Sequence, residues 1–570
     1  MTIDKKEMAR QLKQASRLLE VLGEDPFRVR AYENAARNIE AFEGDVTRLL
    51  EQDRLSEIRG VGKGLAAELS ALKHGSRLAL LEELELKVPQ GIQDLFGVAG
   101  LGGKRIRALW NSGISDVQTL VEAARDGRLE KVAGFGKKSA QGVGTAAEFA
   151  LESARRMRLD SALSAASLLC ERLSTVLPQA RMSSSGSLRR GLETIGDFDL
   201  VIGGVAFDQA VQAVTPHVEE MVAVKPPRIT ARYQDRSLDV GVAEVDAFGA
   251  VLAMWTGNAD FRGELKRRAD DLGLRLCWQG LFHADRRRIA TPEESDLFEA
   301  LQLPYVAPEL RESPRIEAVP DLITTEQVKG SIHNHTVWSD GVPTIRQLSE
   351  ACIERGYRYL GLADHSKSSQ VANGLSVDRL YRQAREVDEV RAELRARNCD
   401  FQLLHGVEVD ILRDGRLDFE DEVLAELDYV VVSVHQNFGL SPQQQTERIV
   451  KAVSHPLADI LAHPSGRLLL QRPPYEFDLA AVIEACADTG TVIEINANPR
   501  RLDLDWRWVI RAKELGCRFA VNPDAHTVAG LDDLRYGVMM ARKAGLEPKD
   551  VVNTAASSAR FLAMLKRGSS

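Results

Sequence analysis

Apolar and polar positions divide the chain into regions with different periods. From residue 331 onward, short apolar runs alternate with helical segments, and the candidate strands are 331–335, 359–365, 402–409, 429–435, 459–463, 491–496 and 518–526. Seven βα units in about 245 residues predict a barrel near the usual size of ~250, with function at the strand carboxyl ends. Two further strands are expected upstream. Across 197–201, Asp197 and Asp199 project from one face while Phe198, Leu200 and Ile202 bury the other. Within 238–242, Leu238, Val240 and Val242 face one way and Asp239 the other, as in a half-buried strand. Earlier still, 58–69, 98–109 and 132–143 repeat one pattern: apolar, Gly, apolar, Gly, then Lys or Gly, then a helical stretch.

Length adds a domain count. At 570 residues the chain is far longer than one compact domain, and at about 150 residues each it divides into roughly four. With 44% hydrophobic and 28% charged residues it reads as a soluble globular protein. No segment approaches the ~20 apolar residues of a membrane span, and the first residues lack the apolar core of a secretory signal. A cytoplasmic location without a membrane partner is the expectation. Six Cys without CxxC spacing argue for reduced, mostly buried thiols. The net charge of -9 argues weakly against nucleic acid, but the charge is segregated: eleven Lys and Arg face six Asp and Glu between Leu101 and Arg158.

The chemistry concentrates in three places. Asp197 and Asp199 repel one another unless a cation lies between them, and with Asp239 on a neighbouring strand they make the set that two-metal nucleotidyl transfer needs. Upstream, Gly186 lets the backbone approach a phosphate, Ser187 can donate to it, and Arg189 or Arg190 can grip it. In the repeats, Gly60 and Gly62, Gly100 and Gly102, and Gly134 and Gly136 free the chain to point N–H groups outward at a helix start, where a backbone phosphate can bind without sequence being read. Lys63, Lys104, Lys137 and Lys138 add charge there. In the carboxyl-terminal half, His333, His335, Asp340, His365, Glu408, His435, His463, Asp524 and His526 lie at or beyond strand ends, and six of the chain's 11 His are among them. Imidazoles converging with carboxylates suit Zn, Mn or Fe ligation.

These residues carry a resemblance. The segment Ser187 to Asp199, the Asp239 strand, FGAVLAMWTGN and LRLCWQGLF resemble the palm and thumb of family X DNA polymerases. The resemblance implies Asp197, Asp199 and Asp239 as the ligands of Mg²⁺ or Mn²⁺, with Asp239 as the general base or metal-activating group. It places Gly186, Ser187, Arg190, Trp255 and Gly257 at the incoming deoxynucleoside triphosphate, and the Gly-Lys turns (Gly60, Gly62, Lys63, Gly100, Gly102, Lys104, Gly134, Gly136, Lys137) on gapped or nicked DNA as helix-hairpin-helix elements. Met254 and Trp255 stand where the family has a Tyr-Phe pair against the sugar, so discrimination against ribonucleotides is not implied. No counterpart of the family's minor-groove Asn stands around Phe261 to Glu264. Residues 1–90 resemble the small amino-terminal domain of the same family. Its Schiff-base Lys position reads Glu68 here, so a conventional lyase is not expected, although Lys63 or Lys73 could substitute.

HNHTVWSDG, ADHS, HGVEVDI, SVHQNF, LAHPSGRLLLQRPPYEFD and NPDAH resemble the polymerase and histidinol phosphatase (PHP) domain. That implies a trinuclear cluster of Zn²⁺, Mn²⁺ or Fe held by all nine residues, water attack on phosphorus, and 3′-5′ exonuclease or related phosphoesterase activity. Ser331 replaces an acidic residue common just before His333, and tuning rather than loss of activity is expected from it. The fold implied is multidomain: α-helical helix-hairpin-helix N-terminal domains (1–90 and 91–158), an α+β nucleotidyltransferase palm (159–250) with thumb (251–310), a linker (311–326) and a C-terminal α/β distorted (βα)7 barrel of PHP type (327–570). The function implied is gap filling in DNA repair by a monomer. Two alternatives stay open: a PHP nuclease whose polymerase half only binds DNA, and a repair scaffold whose metal sites are structural.

Overall fold

The computed structural model describes residues 5–566 except 41, 43, 74–76, 317 and 318. The chain forms two compact units, Met1–Arg155 and Arg156–Ser570.

The first unit is helical. Helix α1 (Lys5–Leu22) places Met8, Leu12, Ala15, Leu18 and Leu19 on one face, all buried. Removing each Leu or Met of that stripe from water is worth about 1.5–3 kcal/mol. Helices α2 (Lys63–Ser70), α3 (Gly103–Asn111) and α4 (Lys137–Ala154) start inside the three sequence repeats. A single 3₁₀ turn precedes each, at Leu55–Glu57, Leu95–Gly97 and Leu129–Lys131. Then comes Gly60, Gly100 or Gly134 at φ +85°, +83° or +89°, a left-handed conformation that side chains disfavour. Gly62, Gly102 and Gly136 follow as extended N-caps. One apolar core runs from Met8 to Ala147. The helical domains expected at 1–90 and 91–158 therefore share an interior, in keeping with the small core that segments of this length bury alone.

In the second unit, helix Leu159–Val176 leads into a five-stranded sheet of β1 (Arg181–Ser184), β2 (Phe198–Gly203), β3 (Glu220–Lys225), β4 (Arg228–Tyr233) and β5 (Arg236–Ala243), in the spatial order β1-β2-β5-β4-β3. Only β2 and β5 pair in parallel. Phe198, Leu200 and Ile202 are buried as expected, but Asp197 precedes the strand rather than lying in it. Short helix α5 (Gly186–Arg189) connects β1 toward β2, and α6 (Phe248–Thr256), buried on nearly every face, follows β5. Beyond it, helix Ala259–Asp271 and a small antiparallel sheet share a core with Phe298 and Ile316. Arg311, fully buried, reaches Glu294 at 2.5 Å.

The barrel expected from residue 331 is present. Strands β6 (Gly330–Ser331), β7 (Tyr359–Gly361) and β8 (Gln402–Leu404) form one parallel sheet; β9 (Gly406–Asp410), β10 (Tyr429–Ser433), β11 (Ile460–Leu461), β12 (Val492–Asn496) and β13 (Phe519–Asn522) form a second. Parallel bridges His365–Glu408 and Asn334–Ala525 join the sheets on both sides and close the ring. The strand expected over 402–409 is broken at His405, because its N–H donates at 2.7 Å to the Asp428 carboxylate instead of to the ladder. Several strands also stop early, with His333, His335, His365 and His463 beyond their last residues. Helix α7 (Leu534–Lys543) packs after β13. No described helix is long and apolar enough to cross a membrane.

Candidate active sites

The first site is a cavity of about 440 Å³ whose lining includes Gly186, Ser187, Arg190, Asp197, Asp199 and Trp255. Asp199 on β2 is the register partner of Asp239 on β5, so adjacent parallel strands bring two carboxylates side by side. Burial, then Asp197 and Asp239, push Asp199 up to about 7. Gly186, at φ +58°, turns the chain against this carboxylate, and a Cβ there would lie 1.8 Å from Asp199 Oδ2. The Ser185 and Ser187 hydroxyls are buried without a hydrogen-bond partner among the described residues. Crowded carboxylates beside unpaired donors fit a divalent cation with a polyphosphate, the set that oxygen ligands and hard cations favour.

Arg228 is part of this site and was not legible in the sequence. From β4 its Nε and NH2 donate to Asp239 at 2.9 and 2.5 Å, its guanidinium lies 5.9 Å from the Trp255 ring, and Thr230 donates to the same carboxylate at 2.6 Å. Only the β4–β5 register reveals the pairing. Arg262 and Trp278 also line the cavity, 5.4 Å apart as a cation on a ring. Met254, paired with Trp255 in the sequence reading, is instead fully buried beside Phe261 and Leu265. Gly257, expected at the nucleotide, does not line the cavity; its carbonyl holds Arg262 NH1 at 2.6 Å.

In the helical unit, Lys63, Lys104, Lys137 and Lys138 are exposed beside the Gly turns, each of which presents a helix start. Lys13, Arg17 and Arg37, with Glu20 and Glu33 among them, line a cavity of about 530 Å³ beside Gly102 and Gly103. Glu68 accepts from the Tyr32 hydroxyl at 2.5 Å, and Lys73 is paired with Asp53 at 2.5 Å.

The barrel ends converge as the sequence suggests. His333, His335 and Asp524; His333, Glu408 and His463; His365, Glu408 and His435; and His335, Asp340, His365 and His526 each bring ligand atoms within 4.8 Å of one another. All nine expected residues fall in these groups. Glu408 is the hub, 2.9 Å from His365 and His463, 3.4 Å from His435 and 3.5 Å from His333. His365 Nδ1 and Glu408 Oε2 approach this closely yet lack hydrogen-bond geometry, and among the described residues His333 Nε2 and both His335 nitrogens, all buried, likewise make no hydrogen bond although carboxylates lie nearby, Asp524 at 3.1 Å from His335 Nε2. Lone pairs so arranged fit cations rather than protons. Burial alone would raise Glu408, but the imidazoles of His435, His365 and His333 hold it well below the usual carboxylate range. Burial lowers His526, yet Asp340 and Asp524 carry it up to about 9.

Carboxylates that the sequence reading missed hold these ligands. Glu494 accepts from His333 Nδ1 at 2.6 Å and from the His463 N–H at 2.9 Å, and Asp410 takes His435 Nδ1 at 2.6 Å, turning the opposite nitrogen of each ring toward Glu408. Asp364 accepts from Thr336, Ser339 and Gln383 and so fixes the loop that carries Asp340. Ser331 donates to Asn334 Oδ1 at 2.9 Å. A cavity of about 650 Å³ opens on the cluster, with Arg501 in its wall 3.4 Å from Asp524.

Comparison with known families divides the chain along the same lines. Residues 3–76 match a helix-hairpin-helix domain, 92–144 a SAM-like helix-hairpin-helix tandem, 251–312 the DNA polymerase beta thumb and 331–498 the PHP domain. The DNA polymerase/3′-5′ exonuclease PolX of Bacillus subtilis (strain 168) is 36% identical over 577 residues, covering 99% of both chains. Proteins described as "Probable phosphatase" match the barrel half: one from Thermoanaerobacter sp. (strain X514) at 27% identity over 39% of this chain and 89% of its own length, and one from Syntrophotalea carbinolica at 25% over 43% and 99%. Thumb, tandem helix-hairpin-helix elements, a paired-Asp palm and a His-rich PHP barrel, in the order of a full-length relative, place the chain in the PolX family, family X DNA polymerases with a carboxyl-terminal PHP domain.

Proposed function

We propose that the chain fills short gaps in duplex DNA with deoxynucleoside triphosphates, and that its PHP domain shortens 3′ ends as a metal-dependent exonuclease or phosphoesterase. The observation that carries the first activity is Asp199, which lines one cavity with Gly186, Ser187 and Arg190 and is the register partner of Asp239 on the adjacent strand. Mg²⁺ or Mn²⁺ on Asp197, Asp199 and Asp239 would make the primer 3′-hydroxyl a better nucleophile and offset charge on the departing pyrophosphate. Arg190 and the Ser187 hydroxyl grip the triphosphate, and the Trp255 ring forms the wall beside them. The exposed Gly-Lys turns hold the backbone of gapped or nicked DNA through N–H groups at the starts of α2, α3 and α4.

In the barrel, Zn²⁺, Mn²⁺ or Fe on the nine His, Asp and Glu residues would supply an activated water and neutralise the phosphorus oxygens under attack. Glu494 and Asp410 keep the His333 and His435 rings aimed at that task, and Arg501 meets the substrate phosphate. The same reading divides the chain into the helical segments 1–90 and 91–158, palm 159–250, thumb 251–310, linker 311–326 and PHP domain 327–570, acting as a monomer.

Purified protein given a 5′-labelled primer facing a short gap should lengthen it by the gap size when Mg²⁺ or Mn²⁺ and deoxynucleotides are present, and shorten it from the 3′ end when nucleotides are withheld. A primer that never lengthens with either metal contradicts the palm assignment.

Gly186→Ala tests the cavity geometry. The new methyl displaces the Asp199 carboxylate, and a shift of about 1 Å at a reacting centre costs on the order of 10²-fold. Single-turnover extension should fall by that factor while 3′ shortening continues at the parent rate.

A further inference from the structure

Lys543, the last residue of α7, belongs to the PHP half but reaches the polymerase cavity from behind. Its side chain has no exposed surface. The Nζ donates at 3.0 Å to the Arg190 carbonyl and at 3.0 Å to Glu312 Oε1, with the Glu309 carbonyl at 3.5 Å. That same Glu312 oxygen accepts Arg190 Nε at 2.7 Å. One carboxylate thus joins a PHP-domain ammonium to the guanidinium that lines the nucleotide cavity.

The arrangement fixes which part of Arg190 is free. Of the five guanidinium donors, Nε is spent on Glu312 and one NH1 proton on the Thr256 carbonyl at 2.8 Å, whereas among the described residues NH2 meets no acceptor. With Nε and one NH1 proton engaged, both protons of the other terminal nitrogen and the second NH1 proton remain to meet an anion. The neighbouring chain is clasped in the same way. Glu193 is 3.5 Å from Arg467 and 3.6 Å from Arg507, both PHP residues, and Met539 of α7 fills the space where a side chain on Gly191 would sit. A buried ammonium is costly to leave in place unless it is fully paired, so Lys543, Glu312 and Arg190 keep their geometry together or lose it together.

We propose that Lys543 is a positioning residue for nucleotide incorporation: through Glu312 it sets Arg190 against the triphosphate, so that the nucleotide affinity of the palm depends on the PHP domain. The inference rests on Arg190 as a triphosphate contact.

Steady-state gap filling by the full-length protein tests it, with Lys543→Met, Lys543→Arg, Glu312→Gln and Arg190→Met compared with the parent. Lys543→Met and Glu312→Gln should each raise KM for the deoxynucleotide about tenfold with kcat within about twofold, the sign of lost ground-state binding. Lys543→Arg should return KM toward the parent value, and 3′ shortening of a labelled strand should proceed in both Lys543 variants. If Lys543→Met does not fold, Glu312→Gln reads the same relay from the palm side. An unchanged KM in Lys543→Met and Glu312→Gln, while Arg190→Met raises it, overturns the proposal alone; an unchanged KM in Arg190→Met overturns the triphosphate reading beneath it. Equal losses of extension and shortening in both relay variants would make Lys543 merely structural, and also overturn it.

Discussion

Replacing Asp197 and Asp199 together with Ala should abolish gap filling, by at least about 10³-fold in single-turnover extension, while 3′ shortening by the PHP domain continues. The size follows from electrostatics: holding charge on a reacting phosphate is worth several kcal/mol, and each ~1.4 kcal/mol is a factor of ten. Asp199 is most of the effect. Burial and its two carboxylate neighbours already drive it up to about 7, so near neutrality a proton competes for the site that a divalent ion would fill. Asp197 is exposed at the cavity mouth and adds charge to the same place. Loss of both carboxylates leaves Asp239, whose oxygens are engaged by Arg228 and Thr230. Extension by the double variant at the parent rate would show that nucleotidyl transfer does not occur here.

How far the chain's chemistry could be read from its residues depended on whether a function leaves a local period. Asp197 and Asp199 are legible because two carboxylates at i, i+2 at the start of an apolar strand have few structural uses. Asp239 is legible for the same reason, but its placement abreast of Asp199, and Arg228 across from it, require the β2–β5 and β4–β5 registers, which no local pattern contains. The barrel ligands announce themselves as His at the ends of apolar runs. Glu494 does not, since a lone carboxylate within VIEIN reads as an outward-facing strand residue until the fully buried His333 is found 2.6 Å away. The break at His405 was hidden too, because it depends on Asp428, a side chain beyond the strand. Lys543 is the sharpest case. A basic residue in the last turn of an amphipathic helix ordinarily faces water and complements the helix dipole, and only the packing of α7 against Arg190 and Glu312 puts it in the interior. The resemblance set Met254 and Gly257 beside Trp255 at the nucleotide, whereas Met254 packs with Phe261 and Leu265 on a helix buried nearly all round and Gly257, just past its end, does not line the cavity.

Glu408→Gln should stop 3′ shortening, by about 10³-fold or more, and lower the metal content of the protein while gap filling proceeds. Glutamine keeps the shape of Glu408 and one acceptor oxygen but not the charge. That charge matters because one buried carboxylate lies within 3.5 Å of His333, His365, His435 and His463 and takes part in two of the four ligand groups. A neutral amide would take the charge from the carboxylate that two ligand groups share, and neighbouring imidazoles would face one another without compensation. Asp410→Asn, which only loosens the His435 ring, should cost less, about 10–100-fold, as losses behind a ligand generally do. Metal content per chain by atomic emission, read beside the shortening rate of a 5′-labelled strand, separates the cases: full metal loading with full activity in Glu408→Gln would remove this residue from the cluster. Parallel loss of extension would mean instead that both activities share one centre or that the chain has unfolded, and thermal melting of the variant distinguishes the two.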